Sequence, residues 1–251
     1  MAAVVTRPLQ SPKVRADDVF FSGMAIVSLL AVYAGFARTY FLAGMFRAPL
    51  PNWLIHVHGA VFTLWIVLFA SQIGLVTARR VGLHRSIGLL GFVLAVLMIV
   101  LGVLAASDRL ARHVGEPGKS TAEDIRAFYA VPMGDMLMFA TFVAFGYSHR
   151  HDPAGHKRLM LFATFALLDA AFDRWSMFDP YPLPVVDLIC FAPLVLLTMG
   201  YDWWSSGRLQ KVTIWSTVFL FTVQQGRYPI GHGLAWQRLA AWVETHMLAF
   251  H

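Results

Sequence analysis

Imidazole and carboxylate side chains lie inside apolar segments of this sequence, where an unpaired charge is costly. His58 stands near the start of one such segment, Asp135 lies in another, and Asp169 and Asp173 share a third, with Asp187 entering the next segment from the same side. An ionised Asp at the centre of a membrane helix costs about 2.5–3.5 kcal/mol, so these groups are expected to face one another. Imidazole with carboxylate suits zinc, iron or copper. The pattern predicts a metal site whose ligands are His58, Asp135, Asp169 and Asp173.

Two further histidines open apolar segments on the opposite side of the membrane. His84 begins "LHRSIGLLGF" and His156 lies in "GHKRLMLFATF". Membrane b-type cytochromes hold iron between two histidines of neighbouring helices, so His84 and His156 are candidate ligands of haem b. Their basic neighbours equally fit contacts with lipid headgroup phosphates, and this simpler interpretation stays open.

A row of polar and aromatic residues continues from His58 along its own segment. Trp65 and Gln72 follow at intervals of seven residues, so all three project from one helical face. This row predicts a wall of a cofactor site, or alternatively a packing stripe with interhelical hydrogen bonds. His56 points about 200° away from His58 on an ideal helix, so the two histidines are not expected to share one cavity.

Composition requires a membrane protein. Hydrophobic residues make up 58% of the chain and charged residues 14%, with a mean hydropathy of +0.61, whereas about a quarter of the residues of soluble proteins are charged. The net charge is +6, but the basic residues fall between apolar segments, so we expect lipid and not nucleic acid as the partner. Cys190 is the one cysteine, which excludes a disulfide framework and a cysteine-rich metal site.

The hydropathy pattern predicts an all-α, polytopic membrane bundle. Each of seven apolar segments has about the twenty residues needed to cross a bilayer, and they cover residues 19–45, 53–77, 84–106, 127–148, 157–174, 184–201 and 211–228. A tail of residues 1–18 precedes the seven-helix domain of residues 19–228. An amphipathic segment, residues 229–251, is expected to lie at the membrane interface. The distribution of lysine and arginine predicts a cytoplasmic N-terminus and a periplasmic C-terminus.

The chain also contains two similar hairpins. The second and third predicted spans resemble the fourth and fifth when His84 is aligned with His156. Both hairpins run in the same direction through the membrane. The pattern predicts a parallel duplication within the bundle.

Residues 50–175 carry a resemblance to a known group of proteins. The stretch "HVHGAVFTLWIVLFASQIGLVTARRVGLHRSIGLLG", together with "HDPAGHKRLMLFATFALLDAAFDR", resembles a family of bacterial multi-pass inner-membrane proteins with no assigned biochemical activity. The hairpin ending in "LHR" is more distantly similar to membrane proteins of cytochrome oxidase assembly and to b-type membrane cytochromes. The resemblance implies a location in the bacterial inner membrane and favours respiratory redox chemistry or metal handling.

These features lead to three functional expectations. The first is an outward-facing intramembrane His/Asp site that binds a metal or redox cofactor in a respiratory redox or assembly role. The second is a structural or accessory subunit of a larger membrane complex, and the third is a proton-coupled carrier that uses the same carboxylates as relays. No nucleotide-binding or hydrolase motif stands in a suitable context, so the sequence assigns no enzyme class.

Overall fold

A computed structural model describes residues 12–46, 52–112 and 120–248, and their regular structure is helical. Short π-helical and 3-10 segments occupy Ala37–Phe41 and Ser176–Phe178. The α-helices in chain order are α1 (Pro12–Phe36), α2 (Ala43–Phe46), α3 (Trp53–Thr77), α4 (Val81–Ala111), α5 (Ala122–Phe128), α6 (Ala130–Ser148), α7 (Pro153–Phe165), α8 (Asp169–Phe172), α9 (Leu183–Ser206), α10 (Lys211–His232) and α11 (Leu234–Leu248).

Five helical stretches of the described chain are long and apolar enough to cross a membrane, fewer than the seven predicted. They are Ala16–Phe41, Trp53–Thr77, Val81–Ala111, Ala122–Ser148 and Leu183–Ser206. The other two predicted spans correspond to α7 with α8 and to α10. Helix α7 has only 13 residues, and α10 has 22 residues but carries several polar side chains. The coarser prediction of an all-helical membrane protein is therefore confirmed, and the count of seven is not.

Helix ends are set by local chemistry. Asn52 caps α3 by accepting a hydrogen bond from the Ile55 backbone N–H at 2.9 Å. Asp152 caps α7 in the same way, and Pro153 follows in the first helical turn, where its missing N–H costs nothing. Helix α9 ends at Gly207, whose φ of 66° is the left-handed conformation that glycine adopts without strain.

Helix α10 has a polar face that is turned toward the protein. Its buried residues recur every three or four positions, as Thr213, Ser216, Leu220, Gln224, Arg227 and Gly231. Large apolar side chains of the same helix, such as Val218 and Ile230, are exposed. Helix α10 packs against α5, α6, α7 and α9, so its inward face meets protein and its apolar face is left for lipid. The inward polar residues explain why α10 is not among the five stretches that are apolar enough to cross a membrane.

The remaining helices surround this centre as packed hairpins. Helix α3 packs against α4, α6 against α7, and α4 against α6, while α1 contacts α3 and α8. Phenylalanines of α6, α7 and α9 fill the core, among them Phe139, Phe142, Phe162 and Phe191. The two predicted hairpins differ in length, because α4 has 31 residues and α7 has 13. The parallel duplication stays a prediction.

The bundle has two chemically different ends. We call the end at which α3 and α9 begin the acidic end, and the end at which α4 and α7 begin the basic end. Helix α1 begins at Pro12, within the predicted tail, and α10 continues through Pro229 to His232. Helix α11 packs against α4 and α5, with Ala240 fully buried. Residues 1–11 of the predicted tail and residues 249–251 lie outside the described chain.

Gly35 brings α1 close to the chain at the acidic end. A Cβ atom at Gly35 would lie 2.7 Å from the Cα atom of Ala171 in α8. We therefore expect Gly35→Ala to separate α1 from α8 and to lower the free energy of unfolding by about 1–3 kcal/mol, as overpacking does. Thermal unfolding of detergent-purified protein measures this loss.

Gly23→Ala in the same helix is the matched control. A Cβ at Gly23 has no described atom within 4 Å, and alanine is the better helix former. Gly23→Ala should leave stability unchanged or slightly higher. Equal effects of the two substitutions would show that the contact between α1 and α8 does not need a glycine.

Candidate functional site

The guanidinium group of Arg227 lies buried among three carboxylates at the acidic end. Arg227 Nη1 donates to Asp135 Oδ1 at 2.5 Å, and Nη2 donates to Asp169 Oδ2 at 2.9 Å and to Asp187 Oδ2 at 2.8 Å. The Arg227 side chain is 2% exposed. Because these partners belong to α6, α8 and α9, one side chain of α10 connects four helices.

Two more side chains complete the cluster. The Tyr228 hydroxyl donates to Asp187 Oδ2 at 2.8 Å. Asp173 stands one helical turn after Asp169, as its backbone N–H donates to the Asp169 carbonyl at 3.0 Å. One carboxylate oxygen each from Asp169, Asp173 and Asp187 lies within 4.8 Å of the others. We call Asp135, Asp169, Asp173, Asp187, Arg227 and Tyr228 the acidic site.

An interruption between helices α7 and α8 places Asp169 in this site. Helix α7 ends at Phe165, and the next residues form tight turns in which Leu167 and Leu168 donate to carbonyls three positions earlier. The chain resumes helical structure at Asp169, the first residue of α8. Helix α7 therefore ends before the acidic end, and the Asp169 carboxylate stands at the start of α8.

Within the described chain, three carboxylate oxygens of the site have no hydrogen-bond partner. The Oδ1 atoms of Asp169, Asp173 and Asp187 are buried and have no hydrogen-bond partner among the described residues. Asp169 and Asp187 are 2% and 1% exposed. A buried polar atom without a hydrogen bond costs about 1–3 kcal/mol, and more when the group is charged. The site therefore has carboxylate oxygens that could bind a ligand and that the described side chains do not use.

The charges of the site do not balance. Asp135, Asp169 and Asp187 place three carboxylates around the one guanidinium of Arg227. Asp173 has its own counter-charges, since it interacts electrostatically with Arg109 and Arg174. If every group is ionised, the four carboxylates and the guanidinium groups of Arg109, Arg174 and Arg227 leave one negative charge.

The predicted ligand set is divided by the structure. Asp135, Asp169 and Asp173 come together in the acidic site, whereas His58 meets other neighbours. Its ring stacks on Phe62 with centroids 4.0 Å apart and interacts with the backbone carbonyl of Leu101. The Asp135 carboxylate pairs with Arg227. The oxygens of the acidic site thus form a donor set without imidazole.

Trp65 and Gln72, which follow His58 along α3, lie in different surroundings. Trp65 Nε1 donates to Thr164 Oγ1 at 3.3 Å, and its ring packs edge-on against Phe139. Trp65 is a satisfied core residue that joins α3 to α6 and α7. The Gln72 amide is buried near the basic end, close to Gly88. His84 and His156 also lie at that end, with ring centroids 6.3 Å apart.

Sequence reasoning did not assign Arg227 or Tyr228 to the site. In the sequence, Gln224, Gln225 and Arg227 lie near the end of the last predicted span, residues 211–228. The available signal was their spacing, because Thr213, Gln224 and Arg227 fall on one helical face. An inward polar face on a membrane helix indicates contact with polar groups of other helices.

The acidic site resembles an incomplete coordination sphere in its chemistry. Carboxylate oxygens from separate helices converge, and each of three residues retains a buried oxygen for a further bond. Such oxygen sets suit Mg²⁺, Mn²⁺ and Ca²⁺ better than softer metals. Comparisons of the chain with family models, with curated proteins and with solved structures give no match.

Proposed function

We propose that this chain is an inner-membrane protein whose acidic site binds a divalent cation from the outer side of the membrane. The observation that carries the proposal is the convergence of Asp169, Asp173 and Asp187, whose oxygens approach within 4.8 Å and whose Oδ1 atoms have no partner among the described residues. A divalent cation supplies the bonds that these oxygens lack.

The charge of the site supports a cation. Three carboxylates surround the single positive charge of Arg227. A surplus negative charge within the apolar slab is costly, about 2.5–3.5 kcal/mol for each Asp. A cation at Asp169, Asp173 and Asp187 offsets this surplus, while Arg227 continues to hold its three partners.

The ligand atoms favour a hard cation over the zinc, iron or copper expected from the sequence. That expectation depended on His58 joining the carboxylates, and the ligand atoms that lie within 4.8 Å of one another belong to Asp169, Asp173 and Asp187 alone among the described residues. Oxygen ligands alone favour Mg²⁺, Mn²⁺ or Ca²⁺. We therefore propose cation binding, and not electron transfer, as the role of the acidic site.

Asp173 provides the access route in this proposal. Asp169 and Asp187 are buried, whereas Asp173 is only half-buried. A cation approaching from the acidic end would meet Asp173 first and then reach the two inner carboxylates. The charge distribution of the sequence, which predicts a cytoplasmic N-terminus, assigns this end to the periplasmic side.

Binding of Mn²⁺ to detergent-purified protein tests the proposal. Equilibrium dialysis followed by metal analysis should find about one Mn²⁺ for each wild-type chain. Asp173→Asn should weaken binding at least about tenfold, which is about 1.4 kcal/mol, because it removes a ligand without touching the hydrogen bonds of Arg227. The control, Asp179→Asn, changes an exposed carboxylate that follows Asp173 in the sequence, and it should bind Mn²⁺ as the wild type does. The absence of stoichiometric Mn²⁺, or equal binding by both variants, would contradict the proposal.

A proton-coupled carrier is the second candidate, favoured by one specific contact. The carboxyl groups of Asp169 and Asp187 lie within hydrogen-bonding reach of each other, so a shared proton would also satisfy them. This candidate predicts no stoichiometric Mn²⁺ in the wild type. It predicts instead a pH-driven uptake of protons into vesicles that Asp187→Asn abolishes.

A further inference from the structure

A pair of histidines faces each other at the basic end, far from the acidic site. His84 belongs to the first turn of α4 and His156 to the first turn of α7. Their ring centroids are 6.3 Å apart and their planes are nearly perpendicular, at 81°. Histidines that merely anchor helix ends to headgroups would point outward separately. These two rings from different hairpins instead converge on one space.

The nitrogen atoms of the pair are not all used by the protein. His156 Nδ1 donates to the Gly146 carbonyl at 2.8 Å, which leaves Nε2 with a free lone pair. A backbone carbonyl bound to the far nitrogen is the usual way in which proteins orient a metal-ligating histidine. His84 Nδ1 is buried and has no partner among the described residues. The nitrogens that a bound group could use are therefore Nδ1 of His84 and Nε2 of His156.

A third polar group lies beside the pair. The Oε1 and Nε2 atoms of Gln72 are buried, and neither has a hydrogen-bond partner among the described residues. The backbone carbonyl of Gln72 interacts with the His84 ring, which places this residue next to the pair. Unsatisfied buried groups cost about 1–3 kcal/mol each. Their concentration around one pair of imidazoles indicates an additional bound group.

We propose that His84 and His156 hold one transition-metal centre, with the Gln72 amide donating or accepting a hydrogen bond beside it. With metal–nitrogen bonds of about 2.0–2.1 Å, imidazoles on opposite sides of one metal have centroids about 6 Å apart. The observed 6.3 Å agrees with this distance. The metal is a free divalent ion or the iron of a haem, since both bind imidazole nitrogen in this way.

The surrounding charge distinguishes these two sources. Arg85 follows His84 in the sequence and is exposed at the same end. Lys157 follows His156 and forms an ion pair with Asp17 at 2.6 Å. Lys157 is thus paired with a carboxylate, whereas Arg85 acts electrostatically on the His84 ring. A positive side chain there disfavours a bare cation and favours a cofactor with its own negative groups, as the propionates of haem provide. The centroid separation of 6.3 Å fits ligands on opposite sides of an iron better than two ligands of a tetrahedral zinc ion, so geometry and charge both favour haem.

The inference is independent of the acidic site. Helix α4 has 31 residues, so at about 1.5 Å per residue its two ends are roughly 45 Å apart. His84 lies at one end and the acidic site near the other. Loss of binding at one site should leave the other unchanged.

Two binding measurements on purified full-length protein test the pair. Titration with haem is followed by the Soret band, and titration with Zn²⁺ is followed by calorimetry. The wild type should bind one equivalent of at least one of these probes. His84→Ala and His156→Ala should each weaken that binding by at least about a hundredfold, and Gln72→Leu by about tenfold. His151→Ala, an exposed loop histidine at the same end, should bind as the wild type does.

A measurement on the wild type covers the case in which an alanine variant does not fold. Bound haem or Zn²⁺ should protect His84 and His156, but not His151, from a histidine-modifying reagent detected by mass spectrometry. The proposal is overturned if the wild type binds neither probe. It is equally overturned if binding leaves both rings unprotected, or if His151→Ala weakens binding as much as the two paired substitutions.

Discussion

Arg227→Leu is expected to lower the free energy of unfolding by about 3–5 kcal/mol, the usual cost of removing one partner from a buried ion pair. The substitution leaves Asp135, Asp169 and Asp187 without the guanidinium that they share. It also removes the side chain that connects α10 to α6, α8 and α9. Thermal or denaturant unfolding in detergent measures the loss.

Two comparison variants separate charge from geometry at this position. Arg227→Lys keeps the charge but cannot direct a planar fork at several carboxylates, so its stability should fall between those of wild type and Arg227→Leu. Arg238→Leu removes an exposed arginine of α11 and should change stability by less than about 0.5 kcal/mol. Equal stability of Arg227→Leu and Arg238→Leu would contradict the claim that Arg227 holds four helices of the bundle together.

Arg158→Ala is expected to have an effect of similar size at the basic end, again about 3–5 kcal/mol. Arg158 Nε donates to Asp202 Oδ1 at 2.8 Å, and its Nη2 contacts the same oxygen. Asp202 is fully buried and also accepts hydrogen bonds from Thr213 Oγ1 at 2.5 Å and from the Gln210 backbone N–H at 3.2 Å. Without Arg158, its negative charge has lost the cation that compensates it.

An exposed ion pair at the same end serves as the control. Arg79 lies 3.1 Å from Asp18, and its side chain is 47% exposed. Exposed pairs contribute only about 0–1 kcal/mol, so Arg79→Ala should have little effect on unfolding. In the sequence, Arg158 is one of the lysines and arginines whose distribution predicts the cytoplasmic side. A loss from Arg158→Ala no larger than that from Arg79→Ala would support that reading over the buried pair.

The sequence predicts the membrane class because average hydropathy reports lipid exposure directly. Two of the seven predicted spans, residues 157–174 and 211–228, are not among the five candidate spans of the described chain. Helix α7 is short and buries Leu159, Leu161 and Phe162 against protein, and α10 turns its polar face inward. Apolar residues in these two helices thus also serve contacts within the protein, and hydropathy alone does not distinguish such contacts from contacts with lipid.

The candidate site was predictable in depth but not in direction. Their positions inside apolar segments place His58 and the aspartates at membrane depth, and Asp169 and Asp173 do lie close together. Depth does not specify which side of a helix faces which neighbour. His58 is outside the group of close ligand atoms formed by Asp169, Asp173 and Asp187, while Arg227, near the end of the predicted seventh span, is the common partner of three aspartates. Such pairings depend on how the helices pack, and the neighbouring residues in the sequence do not specify that packing.

Anomalous diffraction from crystals grown with Mn²⁺ tests the central claim most directly. The proposed cation site predicts a peak enclosed by Asp169, Asp173 and Asp187, at about 2.0–2.6 Å from their carboxylate oxygens, the range of Mg²⁺ and Ca²⁺ sites. In crystals of Asp173→Asn the peak should weaken or vanish, and in those of Asp179→Asn it should remain. A map without a peak at these carboxylates, or with peaks only at exposed acids such as Glu123, would contradict the claim.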